Sequence, residues 1–371
     1  MRTRLYVRRL LINLLAWILA LTLFAAVRNY GVETGVIYEM TIDDINLLEV
    51  ILVEGLSLGF LFGLGFSVIN WVLDRKLFRR LPYGLLVLFR ALTHIMITLI
   101  ILAMAISLTY YASFHTIDHQ IWGVLADNMF TPTSYMLLIY SAFISIIFNL
   151  IRQMNLMFGP GILYKVMTGK YHNPKEEGRI FMFLDLRSST TYAERLGHML
   201  YSQLIQDCFY DLTEAVRKHN AEIYQYVGDE AVLTWPLETG LKAANCLHAF
   251  FTFNDTIQKR ADYYFNKYDL VPAFKAGVNM GLVTVAEVGV VKKEIAYHSD
   301  VLNTAARIQG RCNEFGKQIL ISQKLKKEIT DWNGLSFEEV GTVSLKGKLR
   351  KITIFCVGKE AVGERKYEFA E

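Results

Sequence analysis

The sequence predicts a two-part protein: an all-α domain of four membrane spans, followed by an α+β domain whose helices pack on one face of a mainly antiparallel sheet. Three observations predict it. Mean hydropathy is +0.28 with 53% hydrophobic residues, high for a soluble chain of 371 residues. The apolar excess lies before Lys165, and charge returns to the density of a soluble domain after it. Beyond Arg179, short apolar runs of strand length alternate with stretches of helical periodicity.

Four apolar segments, about 10–27, 47–73, 85–110 and 134–151, are each long enough to cross a hydrocarbon core of about 30 Å at 1.5 Å per residue. A cleaved signal peptide is the alternative for the first, but no small-residue cleavage site precedes Arg28 and three further spans follow. Arg2, Arg4, Arg8 and Arg9 precede the first span. Arg75, Lys76, Arg79 and Arg80 separate the second from the third, and Arg152, Lys165 and Lys170 follow the fourth. The other two loops are almost free of lysine and arginine. The positive-inside rule then places both termini in the cytoplasm and the chain in a cell (inner) membrane, with the lipid bilayer as a partner.

Gly55, Gly59 and Gly63 repeat at four-residue spacing in the second span and make one smooth helix face, suited either to a dimer seam or to close packing inside one subunit. Glu54 and His94 are ionisable groups within spans, which calls for a polar partner or a ligand. With His115 and His119 near the outer end of the third span, a haem or metal sensor is one reading and hydrogen-bonded packing the other.

Net charge is only +4, with no long basic run, which argues against a nucleic-acid partner. Cys208, Cys246, Cys312 and Cys356 are widely spaced and read as free thiols.

The domains expected are 1–151 in the membrane, a linker over 152–178, a catalytic domain over 179–360 and a tail over 361–371. In the linker, Gly159-Pro160-Gly161 ends the fourth helix and a short amphipathic piece over 162–167 follows, either transmitting motion or merely tethering. A buried strand over 180–184 then ends at Asp185, and helix follows over 191–219. A hairpin has Gly228-Asp229-Glu230 at its turn. A long helix over 237–268, strands over 273–280 and 283–288, and a helix over 301–315 lead to a strand-rich end.

Asp185 at a strand end and Asp229 in a hairpin turn can together hold two divalent ions. Mg²⁺ favours carboxylate and phosphate oxygens, and two ions can clamp the attacking and leaving oxygens of an in-line displacement. Each aspartate alone is equally an ordinary structural residue.

Their neighbours supply the specificity. Phe183-Leu184-Asp185-Leu186-Arg187-Ser188-Ser189-Thr190 resembles the metal-binding strand and phosphate turn of class III nucleotidyl cyclases. Tyr226-Val227-Gly228-Asp229-Glu230 resembles their second aspartate hairpin, and Gly277-Val278-Asn279-Met280-Gly281 with Val288-Gly289 their glycine-bearing strand pair. Asp300-Val301-Leu302-Asn303-Thr304-Ala305-Ala306-Arg307 is similar to the transition-state helix, and Leu345-Lys346-Gly347-Lys348 to the last basic hairpin.

The resemblance covers about half the chain and implies a class III cyclase domain with a ferredoxin-like palm core. It also implies two Mg²⁺ or Mn²⁺ ions per site on Asp185, Asp229 and the Leu186 carbonyl, with phosphates held at Ser189 and Thr190. Asn303 would orient the ribose, Arg307 would stabilise charge on the α-phosphate, and Lys346 would meet the outer phosphates. Asn303 and Arg307, four apart, share one helix face. In this family each site combines residues of two subunits, so a homodimer with shared sites and ATP as substrate is implied.

The pattern departs from the family where the base is read. Gln225 and Ala296 stand where a lysine and an aspartate or threonine usually select adenine. Gln225 both donates and accepts, so it suits adenine or guanine, and Ala296 has no polar side-chain atom. His298 and Ser299 replace an apolar residue and a glycine. Besides an adenylate cyclase, the readings kept open are a guanylate or relaxed-purine cyclase, a degenerate cyclase serving as receptor or scaffold, and a diguanylate cyclase. The Asn303–Arg307 helix argues against the last.

Overall fold

The computed structural model describes residues 2–32, 47–73, 82–115, 120–159, 161–343 and 351–359. Lys346, His119, the basic cluster over 75–80, Pro160 and the tail over 361–371 lie outside them. The chain divides into two compact units, Met1–Met157 and Phe158–Glu371.

In the first unit, α1 (Arg2–Val32), α2 (Leu47–Leu73), α3 (Tyr83–Phe114) and α5 (Pro132–Phe158) are each long and apolar enough to cross a membrane. A further short helix, α4 (Ile121–Met129), lies where a plain loop was expected. The glycine face of α2 is taken by α1 of the same chain. A Cβ on Gly55 would come within 2.3 Å of Thr22 Oγ1, and one on Gly59 within 2.4 Å of the Ile18 Cα. Trp17, Leu21, Phe62 and Phe66 fill the core beside that seam.

Glu54 finds its partner in Arg28, at 2.7 Å. His94 is fully buried, stacked on Trp17 with ring centroids 5.6 Å apart, and neither ring nitrogen has a hydrogen-bond partner among the described residues. His115, in left-handed conformation at the end of α3, is exposed. Twenty-one residues of helix put the two about 30 Å apart, so the structure does not bring them into one ligand set.

The second unit opens with α6 (Ile162–Met167) and then β1 (Lys175–Leu186), five residues longer at its start than the apolar run alone indicates. There follow α7 (Ser189–Lys218), β2 (Glu222–Val227), β3 (Glu230–Pro236), α8 (Leu237–Leu241), α9 (Asn245–Lys259) and α10 (Ala261–Tyr268). Next come β4 (Phe274–Val288), β5 (Glu294–His298), α11 (Asp300–Gly310), β6 (Ile319–Ser322), α12 (Gln323–Glu328), β7 (Leu335–Val343) and β8 (Ile352–Lys359).

The strands form one sheet in the order β2-β3-β1-β4-β6-β8-β7, with β5 paired to β4. Every pairing is antiparallel except β4 with β6.

The single helix expected over 237–268 is three. Ala243 and Ala244 take positive φ, and the break lets Asn245 bond both the Thr239 carbonyl (3.1 Å) and His219 (3.2 Å). The helix expected to reach 315 stops at Gly310, and Cys312 instead turns in to the Ala276 carbonyl. The two strands expected over 273–288 are one continuous strand.

Alternation along β1 sends Ile180, Met182, Leu184 and Leu186 into the core shared with α7 and α9, and Phe181 to the other face with Ala305 of α11. Helices were expected on one face only; α11 packs on the opposite one. Asp185, in phase with Phe181 and Phe183, therefore stands on the α11 face. Because both faces are covered, the strand reads as an unbroken apolar run.

At the other end of β1, Arg179 is 2% exposed and paired with Glu177 (3.1 Å) and Glu222 (2.8 Å), under the ring of Tyr297. Lys165 of α6 joins the same network through Glu222 at 3.4 Å.

Candidate active site

Two strand ladders and one turn assemble the acidic centre. Asp185 pairs across the sheet with Glu230 of β3 on one side and with Lys275 of β4 on the other. Residues directly opposite in a ladder share a face, so all three side chains lie together. Gly228, at positive φ, makes the turn that places Asp229 next to Glu230.

Lys275 Nζ meets Asp185 Oδ2 at 3.3 Å, and Gln309 Nε2 of α11 donates to the same oxygen at 2.8 Å. Burial and the neighbouring Asp229 charge push the Asp185 carboxyl up, and Lys275 and Gln309 oppose them. Burial, then Asp185 and Asp229, push Glu230 up to about 7.

Asp229 Oδ2 is buried and has no hydrogen-bond partner among the described residues. A buried carboxylate oxygen left bare is costly unless a cation meets it. The donor set therefore fits divalent ions. Among the described residues no three His, Cys, Asp or Glu side chains converge on one metal position. A cation here would complete its shell from backbone and substrate oxygens, the usual Mg²⁺ arrangement.

Two residues past β1, Ser188 takes left-handed φ just before α7, and among the described residues no side chain caps the helix. The first-turn N–H groups around half-buried Ser189 and exposed Thr190 are free to meet an anion. Tyr201, hydrogen-bonded to Ser189, lines a cleft of about 280 Å³ with Phe209 and Gly228. The Leu186 side chain is buried in the core.

Helix α11 lies over β4 on Gly277. Ser299 caps it, accepting from Val301 N at 3.2 Å, and Asn279 Nδ2 donates to the Val301 carbonyl at 3.1 Å. Its buried face carries Thr304, Ala305, Ile308 and Gln309, while Asn303 is exposed and Arg307 half-buried. Among the described residues no hydrogen bond or ion pair joins Asn303 or Arg307 to Asp185 or Asp229.

Gln225 is exposed on β2 beside a bulge, and Ala296 is half-buried on β5. Their neighbours Tyr224 and Tyr297 touch, with ring centroids 5.0 Å apart, so β2 and β5 meet on this face. His298 is exposed, and Lys346 lies outside the described residues. Lys275, Glu230, Gln309 and Tyr201 were not singled out from the sequence. Only the carboxylate of Glu230, next to Asp229, and the positive charge of Lys275 in an apolar strand were signals there.

The strand order, the hairpin aspartate and the helix seated on β4 define a class III cyclase fold. Residues 172–358 match the model of the adenylate and guanylate cyclase catalytic domain, and the chain belongs to that family. It is 31% identical over 201 residues to adenylate cyclase 2 of Rhizobium meliloti (strain 1021), covering 54% of this chain and 55% of that protein. To adenylate cyclase 1 of the same organism it is 24% identical over 182 residues, 47% of this chain and 27% of that one. The chain thus spans about half or less of the length of these relatives. A solved bacterial light-regulated adenylyl cyclase shares the fold at a TM-score of 0.52 and 16% identity, over 61% of this chain and 66% of that one.

Proposed function

We propose that the protein is a membrane-anchored adenylate cyclase that converts ATP to 3′,5′-cyclic AMP and pyrophosphate. The observation that carries this reading is the convergence of Asp185 and Asp229, with a buried bare oxygen on Asp229, at the foot of an uncapped helix N-terminus. The 3′-oxygen forms a bond to the α-phosphorus as the bond to the pyrophosphate oxygen breaks, and the 3′-hydroxyl proton leaves to solvent.

Bound Mg²⁺ or Mn²⁺ supplies charge neutralisation and Lewis acidity at the reacting oxygens. Asp185 and Asp229, with the Leu186 carbonyl, would hold the ions. Ser189 and Thr190 offer backbone N–H groups to the outer phosphates, and the resemblance to the family assigns Lys346 to them as a further cation. Asn303 orients the ribose and Arg307 faces the charge that develops on the α-phosphate, the main demand of phosphoryl transfer.

Asn303 and Arg307 face away from their own chain's core, which supports a homodimer whose sites each combine the aspartates of one subunit with the α11 of the other. Four apolar helices support a membrane anchor over 1–151, joined by a linker over 152–178 to a cytoplasmic catalytic domain over 179–360. The names of the relatives favour ATP.

Gln225 and Ala296 carry no fixed charge for the base, which supports a purine choice less strict than the usual one. The test is turnover of ATP and GTP by the full chain with Mn²⁺ or Mg²⁺. Cyclic AMP as the main product is expected. GTP turnover alone would make the protein a guanylate cyclase, and no turnover of either would leave a receptor or scaffold.

A further inference from the structure

Helix α11 presents its two faces to two different places. Asn303 and Arg307 stand on the outer face, whereas Gln309 is 7% exposed and turned to the sheet. At 100° per residue Gln309 lies about 160° round the axis from Arg307 and about 120° from Asn303. The same short helix therefore bears one group on its own subunit's acidic centre and two groups directed away from it.

The seat of the helix is tight. A Cβ on Gly277 would come 2.2 Å from Gln309 N and 2.4 Å from the Ala305 carbonyl, so helix backbone rests directly on β4. Two residues along β4, Lys275 reaches Asp185 Oδ2, the same oxygen that accepts from Gln309 at 2.8 Å. Both contacts fall on Oδ2, which leaves the lone pairs of Oδ1 for a cation. A buried amide donating to a carboxylate is a charge-assisted bond, stronger than one between neutral groups.

We propose that Gln309 is a positioning residue that couples the two active sites of a dimer: through Asp185 in one site it sets the helix whose Asn303 and Arg307 serve the other. The inference rests on the reading that the sites are shared between subunits. A cation on Asp185 Oδ1 draws on a carboxylate that Gln309 holds in place through Oδ2. Metal and nucleotide at one site thus bias the placement of Arg307 in the second, and by linkage the reverse holds for binding.

The test uses mixed dimers of the full chain in lipid nanodiscs. Mixing Asp229→Ala with Arg307→Ala subunits leaves one intact site per mixed dimer, built from the aspartates of the second and the α11 of the first. Gln309→Met, similar in length and lacking the donor, is then placed in one subunit at a time. In the Asp229→Ala subunit Gln309 touches only the Asp185 of the dead site, yet its loss is expected to lower kcat of the live site about tenfold with KM little changed.

In the otherwise native homodimer, Gln309→Met is expected to weaken Mn²⁺ binding, read by electron paramagnetic resonance without nucleotide, by about tenfold. Gln309→Leu, which also lacks the donor, should give the same pattern, which keeps the test decisive if the methionine packs poorly. A kcat effect confined to the Arg307→Ala subunit overturns the coupling, as does unchanged Mn²⁺ affinity with unchanged kcat. A mixed dimer that is inactive with native Gln309 instead refutes the shared-site reading itself.

Discussion

Lys275 and Asp185 are partners across the β1–β4 ladder, and their side chains meet at 3.3 Å. Lys275 is the ammonium recorded beside a centre in which Asp185, Asp229 and Glu230 repel one another. Lys275→Met is expected to lower the unfolding temperature of the metal-free full chain. It should also enlarge the upward shift that Mn²⁺ produces, because the ion then relieves a larger repulsion. Thermal unfolding with and without Mn²⁺ checks this, and equal shifts in parent and variant would refute it.

Asp229→Ala and Arg307→Ala are each expected to lose activity by at least about 100-fold. When the two are mixed, half of the dimers are hybrids with one intact site, so activity should recover to about a quarter of the parent. A cyclic AMP assay before and after subunit exchange measures it. No recovery would mean that each chain builds its own site.

Gly277→Ala forces a methyl group against helix backbone, not against a flexible side-chain end. Overpacking of this kind costs about 1–3 kcal/mol. The expected result is a lower unfolding temperature with a larger loss in kcat than in KM, since α11 is displaced while the aspartates stay.

Ser299→Ala removes the side-chain cap of α11 and should destabilise by about 1 kcal/mol, and Ser299→Asn should restore most of it. Unfolding measurements on the full chain decide it. If alanine proves neutral, the serine serves only the Leu282 carbonyl it also bonds.

Glu177 gives a pH dependence with a definite sign. Burial opposes its ionisation, but hydrogen bonds from Lys170, Tyr171 and Arg179 outweigh that and hold its carboxyl down at about 2, below the ordinary 4.5. A carboxyl depressed in the folded state stabilises the fold above its unfolded value, and that share is lost as pH falls from about 4.5 to about 2. Glu177→Gln should therefore unfold at a lower temperature than the parent near neutrality, and the gap should narrow through that window. A gap that is constant with pH would assign the effect to packing.

How much of this was legible in the sequence follows from range. The membrane helices are written as continuous apolar runs, and the glycine spacing of α2 already marked a smooth face. What it could not say is that Thr22 and Ile18 of the same chain occupy that face. Asp185 and Asp229 stood out through their immediate neighbours, and Asn303 with Arg307 through a four-residue step. Lys275, Glu230 and Gln309 did not, because their nearness to Asp185 depends on which strands pair and in what register. Local pattern leaves that open, since a shift of one residue would turn each side chain to the other face. The broken helix over 237–268 failed for the same reason: the bonds of Asn245 that favour the break reach outside the segment or bend it back on itself.

The ion pair between Lys165 and Glu222 has a mechanical side. Glu222 is the first residue of β2, and the turn holding Asp229 follows its last. A strand of six residues spans roughly 20 Å at 3.3 Å per residue. The linker helix thus grips one end of a strand whose far end leads into the turn of Asp229. A pull on α6 would reach that turn through the Lys165–Glu222 pair and the backbone of β2, where the register shift between Ile223 and Gln225 interrupts the ladder.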